Sequence, residues 1–199
     1  ADIFKTRHLT VLCGPGGRLT EGREASEQDC QQRVLRRSNA WVIPPEAGQG
    51  PVHQRGVAAM LLEYESSDSM CLSTDAHMDF NVGWDNTIIA DWASVKNEFA
   101  VLTVYPGDVT MKLDKPSHGL MIELCGWTLE NGIPRGRRAQ DVILREAIKP
   151  PLTMNWAAGL SFHRCHMERA VPVDRHLRWI FTGEEINRAA RLFTHGYDM

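Results

Sequence analysis

Residues Cys71–Ile89 read CLSTDAHMDFNVGWDNTII, and how this stretch is divided decides the fold. Its apolar start reads as a strand that ends at the Asp75-Ala76-His77 triplet. From Asp85 the spacing predicts a helix, "NTIIADWASVKNE", with Asp85 placed as its N-cap. A second apolar run, "EFAVLTVYPG" at 98–107, follows as another strand. Strand, helix and strand in that order predict an α/β domain with a largely parallel sheet.

Upstream, "HLTVLCG" and "AWVIPP" read as short strands, the first closed by a glycine turn and the second by its prolines. "GPVHQRGVAAMLLEYE" places Val52, Val57, Met60 and Leu61 at near-helical spacing behind Pro51, which suits the first turn of a helix. A short helix is expected near "EQDCQQRVLRR". Residues 107–151 lose periodicity and read as an irregular functional insertion, with "ENG" at 130–132 as a hairpin turn. "NWAAGLSFHR" resumes as a strand. "FTGEEINRAARLFTHGYD" is a glycine turn opening a helix, with Ile186, Ala189, Ala190 and Phe193 expected on one face.

At 199 residues, with 43% hydrophobic and 24% charged, the chain fits a single domain, residues 1–199, with a sizeable core. A formal net charge of −3 argues against a dedicated nucleic-acid binder, which carries basic surface to neutralise phosphates. The basic residues are 17 Arg and 5 Lys, a bias that suits carboxylate and phosphate recognition or simply reflects codon usage. Cys13, Cys30, Cys71, Cys125 and Cys165 form no C-x-x-C pair, and an odd count weakly favours a reducing compartment. No window of ~18 apolar residues and no signal-peptide order are present, so no membrane segment is expected within the chain.

Three short segments carry chemistry. Asp75 and His77 alternate along an extended backbone and so share a side at a strand end, where open α/β sheets bind ligands. A carboxylate and an imidazole there form a two-ligand grip on Mn²⁺ or Zn²⁺; the other reading is a turn cap beside a surface histidine. In Phe181–Glu185 the paired glutamates either favour a helix N-terminus or turn a carboxylate into a cleft to hold sugar hydroxyls. The small residues of "AAGLSF", 157–162, allow close approach of a ligand or of another backbone.

Taken in order, "GPVHQRGVA", "STDAHMDFNVGWD", "NWAAGLSF" and "FTGEEINRAARLFTHGYD" resemble the glycosyltransferase family that adds GlcNAc to hydroxyproline or to Thr/Ser of polypeptides. They are similar, more distantly, to the polypeptide GalNAc transferases, which share D-x-H, G-W-D, A-G-G-L and W-G-G-E in that order. The likeness covers about residues 40–199. It implies a GT-A fold, a Rossmann-like nucleotide-sugar domain with a mixed, mostly parallel sheet flanked by helices. It implies a metal-dependent retaining enzyme with UDP-GlcNAc as donor, Mn²⁺ or another divalent cation as cofactor and a protein hydroxyl as acceptor.

Residue by residue, the resemblance places Asp75 and His77 on the metal and diphosphate, and Arg55 on the nucleotide. Ala158 and Gly159 line the sugar pocket, Glu184 holds sugar hydroxyls, and Glu185 is its neighbour. Trp84 is expected to be buried, and Asp85 to cap its helix. An S-Y-R-D-like stretch near the first strand and a histidine beyond "HGYD" are missing from the pattern, so the fold is expected to be incomplete at both ends. His195, in "THG", matches a structural place in the family. The compartment is cytoplasmic or Golgi lumen. Two other readings stand beside this one: a metal-dependent hydrolase using Asp75 and His77 with His163 or His166, and an inactive transferase-derived interaction domain.

Overall fold

The computed structural model describes residues 8–10, 39–41, 43–60, 69–75, 78, 80–106, 120–122, 124, 126–137, 141–143 and 150–199. Strand β1 (His8–Thr10) pairs in parallel with β2 (Asn39–Trp41). After a 3-10 turn at Pro45–Ala47, helix α1 spans Pro51–Met60. Proline at its first position loses no helical hydrogen bond there. Val52 is buried, whereas Met60 is 62% exposed and Leu61 falls outside the described residues. The helix expected near 27–37 also lies outside them.

Strand β3 (Met70–Thr74) leads through helix α2 (Trp84–Val95) to β4 (Val101–Val104). The predicted strand, helix and strand are therefore present. What differs is the pairing. Strand β9 (Leu160–Arg164) lies between β3 and β4 and runs antiparallel to both, with Leu72 opposite Phe162 and Leu102 opposite the same residue. β3 and β4 are thus parallel to each other without touching. Among the described residues only β1 and β2 pair as parallel strands, so a mostly parallel sheet is not what these elements form. The last strand to join the sheet occupies the slot that a direct β-α-β neighbour would take.

Helix α2 is tied to this sheet through Trp92, whose indole N–H donates to Ala100 O at 2.9 Å while the Arg164 guanidinium lies 4.8 Å from its ring centroid. Its N-cap is Gly83, at φ 80°, and Asp85 sits inside the first turn with no side-chain cap. The carboxylate therefore acts on the helix dipole rather than as a hydrogen-bonded cap. Trp84 is half-buried and stacks on Phe80 with ring centroids 4.4 Å apart.

Within 107–151, β5 (Leu120–Ile122) pairs with β8 (Asp141–Ile143), and β6 (Gly126–Glu130) with β7 (Ile133–Arg137), both antiparallel. The β6–β7 turn holds Asn131 and Gly132 at φ 52° and 79°, the two positive values that a type I′ hairpin turn requires. The "ENG" signal therefore carried its local prediction.

Helix α3 (His166–Ala170) and helix α4 (Glu184–Thr194) complete the core. Val101, Trp156, Met167, Val171, Ala189, Leu192, Tyr197 and Met199 pack into one cluster, with Ala158 against it. The buried face of α4 is Glu184, Arg188, Ala189 and Leu192; Ala190 is exposed and Phe193 is 74% exposed. The helix is turned away from the expected apolar face because its charged residues find buried partners. Cys71 and Cys165 form a disulfide with Cα atoms 5.0 Å apart, 94 residues apart in sequence, which runs against the reducing compartment that the cysteine pattern weakly favoured.

Candidate functional site

The end of β3, the segment before β9, helix α1 and the start of α4 converge, and sequence explains why each arrives. In α1, a Cβ on Gly56 would lie 2.9 Å from the Arg175 Cα, so glycine lets this helix seat closely against the Arg175 backbone. His53 Nδ1 meets Arg175 O at 2.5 Å, and Trp179 N–H donates to Gln49 O at 2.7 Å. The chain between Arg175 and Trp179 runs directly into α4, so α1 is fixed relative to that helix's first turn. Gly183, at φ 97°, is the α4 N-cap and turns Glu184 and Glu185 inward.

Arg55 is the hub. Its Nη1 donates to Glu184 Oε1 at 2.5 Å, and its Nη2 to Asp75 Oδ1 at 3.2 Å and to Ala158 O at 3.0 Å. The guanidinium also lies 5.9 Å from the Trp156 ring centroid. Asp75 is positioned through its backbone, whose N–H donates to Gly159 O at 3.1 Å just beyond the β3–β9 ladder. Glu185 Oε1 accepts from the Tyr105 hydroxyl and, at 3.0 Å, from the Ala158 N–H.

Burial pushes the Glu184 carboxyl above its usual range; the Arg55 charge and hydrogen bond oppose this, and Asp75 adds to it. Burial likewise raises Glu185, against the Ala158 N–H and the Arg55 charge. Two carboxylates pair with one guanidinium and a third, Glu185, stands beside them, so the cluster suits hydroxyl donors and cations better than a bare anion.

Arg55, Asp75, Ala158, Gly159, Glu184 and Glu185, which come from four separate parts of the sequence, are thus brought together. His77 lies outside the described residues, and among those described no three His, Cys, Asp or Glu side chains gather as a metal site. Tyr105 and Trp156 join the cluster without having been singled out in the sequence. The tyrosine ends an apparent strand at "VYPG", which marks position but not partnership.

The remaining histidines have other work. His163, 1% exposed, meets Glu168 Oε1 at 3.1 Å, and burial with the Arg188 and His166 charges lowers its pKa to about 3. It pairs with Cys71, four residues before Asp75 and so about 13 Å up the strand. His166 Nδ1 meets the Tyr197 hydroxyl at 2.9 Å, and His195 Nδ1 meets Arg191 O at 2.7 Å at the end of α4. Beneath the cluster, Arg188 donates to both Glu168 oxygens at 3.1 and 3.0 Å and to Val171 O.

No helix among the described residues is long and apolar enough to cross a membrane. No curated protein and no solved structure matches the chain. Residues 8–199 do match the glycosyltransferase (GlcNAc) family over nearly the whole sequence. The match spans every element that supplies the Arg55 cluster, and the chain belongs to the GlcNAc glycosyltransferase family.

Proposed function

We propose that the Arg55 cluster is the donor site of a retaining transferase that moves GlcNAc from UDP-GlcNAc to a hydroxyproline or Ser/Thr hydroxyl of a protein. The observation that carries this reading is the Arg55 guanidinium joining Asp75, Glu184 and Ala158 O, which brings four distant segments into one polar cluster. The core of a GT-A arrangement is supported by the β3–α2–β4 crossover, with Asp75 at the carboxyl end of β3. Residues 107–151 are the acceptor side of this single domain.

Asp75, half-exposed and supplying a hard oxygen ligand, fits a divalent cation such as Mn²⁺ in partnership with His77. When bound, the ion supplies positive charge at the diphosphate and makes UDP a better leaving group. A cation is needed on electrostatic grounds, because the carboxylates would otherwise repel the diphosphate. Arg55 orients Asp75 and Glu184, and the Ala158-Gly159 backbone lines the sugar side of the cluster. The acceptor oxygen forms its bond to C1 as the C1–O bond to UDP breaks on the same face, and the acceptor proton passes to the departing phosphate oxygen. No protein base is required.

Of the two compartments, the Cys71–Cys165 disulfide supports the Golgi lumen, since disulfides persist in oxidising surroundings. The hydrolase reading is less well supported, because His163 sits opposite Cys71 and is bonded to Glu168, and His166 is bonded to the Tyr197 hydroxyl. A thermal-shift titration tests the donor reading. Stabilisation by UDP-GlcNAc that requires Mn²⁺ is expected; no response to the nucleotide sugar with or without Mn²⁺ would sink it.

A further inference from the structure

Resting on the donor-site reading, we propose that the outer edge of β6 is where the acceptor polypeptide docks, adding to the β6–β7 hairpin as a further strand. Among the described residues β6 and β7 pair only with each other. The Asn131-Gly132 turn makes Glu130 and Ile133 a hydrogen-bonded pair, so Thr128 with Arg135 and Gly126 with Arg137 are bonded as well. Leu129 with Pro134 and Trp127 with Gly136 are the unbonded pairs, whose N–H and C=O groups turn away from the partner strand. On β7 that outer edge is closed. Pro134 has no N–H to offer, and Gly136 lies against Glu185, whose Oε2 would be 3.5 Å from a Cβ there.

On β6 it is open. Trp127 and Leu129 each turn a backbone N–H and C=O outward, and among the described residues neither finds a backbone partner there. Trp127, Thr128 and Leu129 are exposed in a row, so neither face of the strand is covered, and Leu129 is 71% exposed. Such an edge recognises extended backbone, because a second strand matches the donors and acceptors that alternate along it. Trp127 and Leu129 also share one face, which gives alternate residues of the added strand apolar contacts. The seat of the hairpin on the donor cluster makes the acceptor its occupant. Ile133 Cγ2 lies 3.0 Å from where a Gly183 Cβ would be, and Asn155, three residues before Ala158, donates from Nδ2 to Gly126 O at 3.2 Å. An added strand lies about 5 Å beyond β6 and about 10 Å beyond β7, so the residue that takes the sugar comes from the chain flanking the paired stretch, about three residues out. A hydroxyproline acceptor belongs outside that stretch in any case, having no N–H to pair.

Amide hydrogen exchange of the full chain, read residue by residue by NMR, tests this. The probe is a synthetic peptide of alternating Thr and Val with lysine ends, beside the same sequence N-methylated at every residue. In the protein alone the Trp127 and Leu129 amides are expected to exchange freely, while those of Thr128 and Glu130 are protected inside the hairpin. Saturating unmethylated peptide should slow Trp127 and Leu129 by about tenfold or more, and the methylated peptide should not. Leu129→Pro removes one outward N–H and none of the inward bonds; it should weaken the peptide about tenfold with Thr128 and Glu130 still protected. No slowing at Trp127 and Leu129, or equal slowing by the methylated peptide, would overturn the proposal. So would slowing that grows with protein concentration and needs no peptide, which would put a second copy on the edge. Release of UDP from UDP-GlcNAc with Mn²⁺, measured on the same protein without peptide, reads the donor site separately. UDP release without the slowing overturns the edge alone, and slowing without UDP release overturns the donor site and leaves the edge as a peptide site.

Discussion

Arg55 is 17% exposed at its side chain and faces two carboxylates, so its removal leaves like charges in a poorly solvated place. Arg55→Met is expected to lower unfolding free energy by about 3 kcal/mol at neutral pH, measured by urea denaturation. Part of that loss should return as the pH falls, since protonating Glu184, whose carboxyl burial already raises, removes the repulsion. The sign follows from a raised folded pKa, whose stabilising contribution is present at low pH and lost as the pH rises. His163 has the opposite sign. Its folded pKa of about 3 lies below the ordinary 6.5, so the unfolded chain takes up the proton first. Stability from this group is full above 6.5 and is lost as the pH falls toward 3. Compared with His163→Gln, the wild type should lose up to about 1.4 kcal/mol more per pH unit below 6.5. Parallel pH profiles for the two proteins would contradict the assignment of a neutral buried imidazole.

At the scale of elements, the contacts that matter are those that seat α1 and α4 against the sheet. Gly56→Ala forces a Cβ to 2.9 Å from the Arg175 backbone, and backbone cannot swing aside as a flexible side chain can. It should destabilise the fold by about 1–3 kcal/mol and weaken donor binding by shifting Arg55. The disulfide joins β3 to the residue after β9 across a 94-residue separation. Replacing both cysteines by serine should lower unfolding free energy by about 2–5 kcal/mol, read by denaturation under non-reducing conditions. These elements were unequally legible. The α1 start at Pro51, the type I′ hairpin at Asn131-Gly132 and the strand ending at Asp75 have local signals that the chain obeys. The buried face of α4 has none, because Arg188 looks like a solvent residue until Glu168, twenty positions earlier, is placed beside it. The antiparallel insertion of β9 is equally silent, since pairing order depends on which of several short apolar strands meets which.

For the whole molecule, the match over residues 8–199 establishes the GlcNAc glycosyltransferase family, the broader part of what the order of four short motifs indicated, while the pairing that assembles them was not readable. Asp75, Glu184 and Glu185 looked individually like turn or helix-end carboxylates. Their meaning comes from a shared arginine at Arg55 and a shared backbone segment at Ala158, contacts separated by 20 to 129 positions in the chain. Tyr105 was invisible for the same reason, being 80 positions from Glu185. The proposed donor site holds a nucleotide sugar through Asp75 and transfers from it. Its most direct test is release of UDP from UDP-GlcNAc in the presence of Mn²⁺, measured for the full chain and for Asp75→Ala. The wild type should release UDP in a Mn²⁺-dependent manner, and Asp75→Ala should be slower by about 100-fold or more. Release by Asp75→Ala at the wild-type rate, or none by the wild type, would contradict the account.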